Sequence, residues 1–258
     1  VAFDPHSPEK MAVGFDRDGG LRDNGVVLWD MNAGGALSQA AAAASPSSAS
    51  LGDERLSTPA VAAMTPIFGG AYGEGVAAVS FLQGQDKTLA VGTTKWLRIF
   101  DVRGPPESAT RIMAHERAVR GLAVDPLRPH CLATFSDGHK EPINVWDIRK
   151  LDQPAKPTPW AIIKPFHVSK ATTSSVVDVA WSPMTTGVLA SIQSDFRCLT
   201  FWETSRASNS RPLSLLIPCQ VYNTPAPSRC IAWAGQGGLS WQPGTVAAGA
   251  SRGASADP

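Results

Sequence analysis

The sequence predicts an all-β fold of repeated four-stranded antiparallel sheets, and three observations carry that expectation. Short strands with period-two alternation recur along the chain, as in VRGLAV (119–124) and INVW (143–146). Turn-forming residues are abundant, with 23 Gly and 21 Pro in 258 residues. An aromatic residue followed by an acid closes each repeat: Trp29-Asp30, Phe100-Asp101, Trp146-Asp147 and Trp202-Glu203.

The first unit reads VAFDP, MAVGF and GVVLWDM between Val1 and Met31. The second reads VAAVSF, TLAVG and WLRIFDVR from Val76 to Arg103. The third is VRGLAVDP, CLATFSDG and INVWDIRK, ending at Lys150, and the fourth is VVDVAWSP, VLASIQSD and CLTFWETS, ending at Ser205. A fifth begins at GLSWQP (Gly238–Pro243) or at the rival CIAW (Cys230–Trp233). The units therefore fall at about 1–32, 76–103, 115–150, 174–206 and 230–243.

The closing aromatic residues stand 71, 46 and 56 residues apart. Each excess over a repeat of about 40–45 residues reads as an inserted loop. The segment 33–63, with AAAAAS and SPSSAS, has no strand or helix period and reads as a low-complexity surface loop. Lys156 to Ser175 reads as a second long connection, and 244–258 as a disordered tail. One such sheet cannot bury its apolar face alone, so the units are expected to stack around an axis as propeller blades. The Trp of each closing pair is the large apolar contribution, about 2–3 kcal/mol when buried, and the acid beside it serves a turn. Four full units are too few for a closed ring of seven, so the chain is expected to form an arc, completed by missing sequence or by a partner. A start at VAFDP without Met reads as a fragment or an incomplete gene model.

The remaining composition narrows the function. Net charge is +1 with no long basic or acidic block, which disfavours nucleic-acid binding. No apolar run is long enough to insert in a membrane. Cys131, Cys198, Cys219 and Cys230 form no CxxC pair and are expected as reduced thiols. Phosphate loops, HExxH and nucleophile-elbow motifs are absent from the sequence, and no cofactor or metal is expected. Asp16, Asp18 and Asp23 lie in a Gly-rich loop that lacks Ca²⁺-loop spacing. His6, His130, His139 and His167 read as turn or loop residues, and Arg103, Arg149, Lys150 and Arg206 as rim or solvated edges.

These units resemble WD40 repeats. The third carries the wider pattern: His115 four residues before Val119, Thr134 in the second strand, Asp137 before Gly138, and Trp146. The resemblance implies that His115, Asp137, Thr134 and Trp146 form a hydrogen-bonded tetrad inside the blade and not a catalytic triad. Asp137 lies nine residues before Trp146, against about six in the usual repeat, which points to a bulge over His139–Pro142.

From Thr88 to Ser205 the order TLAVGTTKWLRIFDVR, VRGLAVDPLRPHCLATF, INVWDIRKLDQP and VAWSPMTTGVLASI resembles the propeller of the Mios family, subunits of the GATOR complex, called SEA in yeast. That resemblance implies a non-enzymatic scaffold that assembles with other propeller subunits, including nucleoporin-type and coat-type ones. It implies a cytoplasmic complex peripheral to lysosomal or vacuolar membranes, promoting TOR kinase signalling when amino acids are plentiful. It also implies a helical solenoid and a zinc-binding region beyond these residues. An adaptor of another assembly (chromatin, coat or ubiquitin ligase) shares the fold and stays open. A propeller enzyme would need polar groups converging on the central channel, and the sequence offers no such cluster.

Overall fold

A computed structural model describes residues 1–16, 24–32, 66–84, 87–138, 141–151, 157–165, 175–194, 197–204, 214–216, 218–224, 228–233 and 246–250. Outside them lie the expected loop 33–63, GLSWQP, Asp18, Asp23, His139, His167 and Arg206.

Blade 1 contains β1 (Ala2–Phe3), β2 (Lys10–Gly14), β3 (Val26–Asp30) and β4 (Pro66–Gly70), hydrogen-bonded in that order. Blade 2 contains β5 (Ala78–Phe81), β6 (Thr88–Gly92), β7 (Trp96–Asp101) and β8 (Thr110–Met113). Blade 3 contains β9 (Val119–Val124), β10 (Cys131–Ser136), β11 (Ile143–Asp147) and β12 (Ala161–Ile163). Blade 4 contains β13 (Val176–Trp181), β14 (Val188–Gln193), β15 (Cys198–Glu203) and, after β16 (Ser214–Leu216), β17 (Pro218–Asn223). All pairings within these four-stranded units are antiparallel.

Three expectations about boundaries change. Unit 1 does not stop near residue 32, because β3 pairs with β4 across the insertion, Val26 opposite Gly70 and Leu28 opposite Phe68. The stretch 156–175 is not one connection: Ala161–Ile163 is the buried outer strand of blade 3. The tail is not wholly outside the fold, since β18 (Ser228–Trp233) pairs with β19 (Val246–Ala250). The fifth unit thus opens on the strand that contains CIAW.

A further strand crosses between units. β16 follows blade 4's third strand in sequence but pairs in parallel with β12 of blade 3, Ile162 opposite Leu215. Blade 3 thereby becomes a five-stranded sheet.

Apolar side chains pack between blades. Ala12, Val26, Leu28 and Phe68 of blade 1 meet Val76, Phe81, Val91 and Phe100. Ala90, Leu97 and Ile112 of blade 2 meet Leu132 and Trp146, and Phe135, Val145 and Ile163 meet Val179, Trp181 and Trp202. Small residues permit this approach. A Cβ at Gly92 would stand 2.7 Å from Val119, and one at Gly14 only 2.4 Å from Val76. The described strands form an arc and no closed ring.

Candidate functional site

The third strand of each blade ends on the aromatic-acid pair, and register decides what the aromatic ring meets. In blade 3, Trp146 lies opposite Leu132, so the residue two further along β10 is Thr134. Trp146 Nε1 donates to Thr134 Oγ1 at 2.9 Å. The same hydroxyl lies 2.8 Å from His115 Nε2, and His115 Nδ1 lies 2.8 Å from the Glu141 carbonyl oxygen. A carbonyl only accepts, so Nδ1 carries the proton. Nε2 then accepts from the Thr134 O–H, while the same oxygen accepts from the indole. Every bond in the chain has one donor and one acceptor, which is the neutral tautomer of His115.

Asp137 is not part of this chain, contrary to the tetrad expectation. Its carboxylate accepts from Arg120 at 3.1 Å instead. The Glu141 backbone carbonyl, not a carboxylate, accepts the His115 Nδ1 proton. This chain cannot act as a triad. His115 is 2 % exposed. Burial pushes its pKa from 6.5 down to about 4, although the Glu141 and Thr134 hydrogen bonds oppose the shift.

Blade 4 repeats half of the arrangement, with Trp202 Nε1 donating to Ser191 Oγ at 2.8 Å. Ser191 occupies Thr134's register position, two residues past Leu189, which faces Trp202. Sequence reasoning missed it, although this spacing is visible in LASIQ. Blades 1 and 2 have Val13 and Val91 at that position, facing no hydroxyl partner for Trp29 and Phe100. Trp29 is half-buried and meets Phe15 edge-on. Phe100 is buried against Phe68, also edge-on, at 5.6 Å between centroids.

The acids close turns. Asp101 accepts from the Arg103 backbone N–H at 3.0 Å and from its guanidinium at 2.7 Å. The Arg103 hydrogen bonds hold the Asp101 carboxyl down to about 2. Asp147 does the same with Arg149 at 3.1 and 2.7 Å. Burial pushes the Asp147 carboxyl up, but the Arg149 hydrogen bonds outweigh it and hold it below the usual range. Asp30 accepts from the Asn32 N–H, and Glu203 ends β15 opposite Val188.

Two junctions between blades hold polar groups absent from the sequence expectations. Arg128 donates to Asp125 at 2.7 Å and to Thr204 of blade 4 at 2.9 Å. Its guanidinium lies 5.2 Å from the ring centroids of both Trp160 and Trp181. Trp181 also donates to the Ala123 carbonyl of blade 3 at 3.0 Å. One blade on, Trp233 donates to Ala180 at 3.4 Å, and Asp178 accepts from the Ile231 N–H at 2.8 Å. An inner-strand Trp reaching back to the preceding inner strand is thus a repeated joint. Beside it, the inner strands border an open cavity of about 350 Å³ lined by Val76, Val79, Arg120, Gly121, Phe135 and Asp178. Burial pushes the Asp178 carboxyl up.

Among the described residues, no group of three metal-ligating side chains converges, and no helix is long and apolar enough to cross a membrane. Cys131 is buried, and that burial pushes its thiol up to about 11, so it stays protonated.

The stacked blades and their internal Trp-hydroxyl bonds define a WD40-type β-propeller protein. Residues 1–211 match the family described as MIOS, WD40 repeat, and the chain belongs to that family. It is 33 % identical over 132 residues to the GATOR2 complex protein MIOS of Dictyostelium discoideum, covering 50 % of this chain and 10 % of that protein. It is 24 % identical over 203 residues to GATOR2 complex protein MIOS-A of Xenopus laevis, covering 79 % of this chain and 20 % of that protein. MIOS of Danio rerio is 22 % identical over 207 residues, with the same coverage. The matched stretch is therefore a tenth to a fifth of these relatives' own length.

Proposed function

We propose that this chain is the propeller of a MIOS-like subunit, a non-enzymatic scaffold that binds other proteins within a GATOR2-type complex. The family match over residues 1–211 carries this reading. The chemistry of the blades supports it. The candidate reactive groups His115, Thr134, Ser191, Trp146 and Trp202 are engaged with one another inside blades. Asp30, Asp101 and Asp147 close turns. The propeller region runs from residue 1 through Ala250, with the insertion 33–63 leaving blade 1 between its third and fourth strands.

On this reading the partners are other propeller subunits, nucleoporin-type and coat-type ones included, and the complex promotes TOR signalling in response to amino acids. It acts in the cytoplasm, peripheral to lysosomal or vacuolar membrane, and needs no cofactor. Affinity purification of a tagged full-length protein carrying this chain should recover other propeller subunits of such a complex. Recovery of chromatin, coat or ubiquitin-ligase components alone would replace this reading with an adaptor of another assembly.

A further inference from the structure

We propose that the end of the arc formed by blade 2 and the start of blade 3 binds an acidic peptide segment of a partner protein. The proposal rests on the scaffold reading and names where one partner docks and by what chemistry. Backbone hydrogen bonds bring three loops together there. The Lys95 carbonyl accepts from the Ala114 and His115 N–H groups at 2.9 and 3.3 Å, and the Thr93 carbonyl accepts from Val119 at 3.2 Å. Trp96 lies opposite Met113 and Arg98 opposite Arg111. This framework places Lys95, Trp96, Arg111, Met113, Arg117 and Arg120 on one end of the blades.

The charges there are unequal. Glu74 is engaged with Arg98 and lies 3.6 Å from Arg111, and Asp137 is engaged with Arg120. Glu116 is exposed and already has an interaction. Lys95 and Arg117, both exposed, have no ion pair among the described residues. The Arg111 guanidinium carbon lies over the Trp96 ring, 3.9 Å from its centroid, a cation on an aromatic face. Met113 is 48 % exposed beside it. Arg120 continues the cationic strip to the mouth of the axial cavity.

Guanidinium and ammonium groups spaced around an apolar platform suit carboxylates interleaved with an apolar side chain. A nucleic acid or an anionic membrane would ask for a longer basic surface, and the chain's net charge is only +1. Glu74 and Asp137 are held by arginines, and Glu141 accepts from Asn144 at 3.4 Å, so an incoming carboxylate meets Lys95 and Arg117 without displacing an ion pair among the described residues.

Fluorescence polarisation of the full chain with a labelled peptide of Asp and Glu around one Phe tests this. Binding should weaken with salt, and the Asn/Gln counterpart of the peptide should not bind. Lys95→Glu with Arg117→Glu should lower affinity about tenfold, and Lys95→Gln with Arg117→Gln about threefold. Lys150→Glu, at the opposite end of blade 3, should change nothing. Equal binding of the neutral peptide, or unchanged affinity on charge reversal, overturns the proposal. So does displacement by single-stranded RNA or phosphatidylserine vesicles in place of peptide binding. Recovery of complex subunits by the unsubstituted full-length protein is scored separately, so loss of that recovery marks failure of the scaffold reading and not of this site.

Discussion

Blade 2 places Phe100 where blade 3 places Trp146, and Val91 where blade 3 has Thr134. Both aromatic rings are buried, at 1 % exposure each. Blade 2 fills the space with apolar atoms and an edge-on Phe68. Blade 3 fills it with an indole whose N–H needs an acceptor, a hydroxyl that supplies one, and a histidine that completes the hydroxyl's bonding. The difference shows that the register, not the polar network, defines the blade. A buried polar group is tolerated when every partner is present, and its removal as a matched set is tolerated equally. Blade 4, with Trp202 and Ser191, lies between the two.

The largest effect expected within this comparison comes from emptying the shared position. Trp146→Ala should cost about 3–5 kcal/mol in urea unfolding, and Phe100→Ala should cost a similar amount. A much smaller loss for Trp146 would mean that the polar chain holds the blade without the ring.

Titration separates the blades next. Burial holds His115 near 4 in the fold against 6.5 when unfolded. The unfolded chain therefore takes up this proton first as pH falls. The contribution is complete above pH 6.5, declines as pH drops towards 4, and levels off below it. The whole change amounts to at most about 3 kcal/mol. Urea midpoints of the parent and of His115→Asn, compared across that window, should show a steeper decline in the parent. Equal slopes would place the pH dependence elsewhere.

Exchanging the facing residues probes the matched-set idea directly. Thr134→Val strands the Trp146 N–H and alters His115, and should cost about 1–3 kcal/mol. Adding Trp146→Phe should recover part of that loss, since it copies blade 2 and removes the stranded donor. The reverse change, Val91→Thr, buries a hydroxyl with no partner from Phe100 and should destabilise by about 1–3 kcal/mol. Strict additivity of Thr134→Val and Trp146→Phe would break the comparison.

The smallest effect belongs to what the two blades share. Arg103→Ala and Arg149→Ala remove ion pairs that are well exposed on the arginine side. Exposed pairs compete with water and salt, so urea midpoints should hardly move in either blade.

Much of this was legible in the residues. Alternation and the closing aromatic-acid pairs located the first three strands of four blades, because period-two burial is a local property. The fourth strands were harder. PIFGG follows a long insertion, and AII is only three residues, so each is recognisable chiefly by the partner strand it joins. Trp146, Thr134 and His115 were grouped by the resemblance to WD40 repeats, and the hydrogen bonds join them. Asp137 was misplaced because the group that replaces it is the Glu141 carbonyl, which every residue carries and no sequence pattern marks.

The sequence by itself determined the blade repeat and the aromatic-acid pairs that end the third strands, with the acid in a turn. These depend on residues a few positions apart. Tertiary structure alone decided the joints between blades. Arg128 meets Thr204 across 76 residues, and Trp181 meets Ala123 across 58. It also decided which cations on one end of the arc keep an acid and which do not. Such pairings depend on how one twisted sheet seats on the next, and that geometry is set by packing of whole faces, not by any local run of residues.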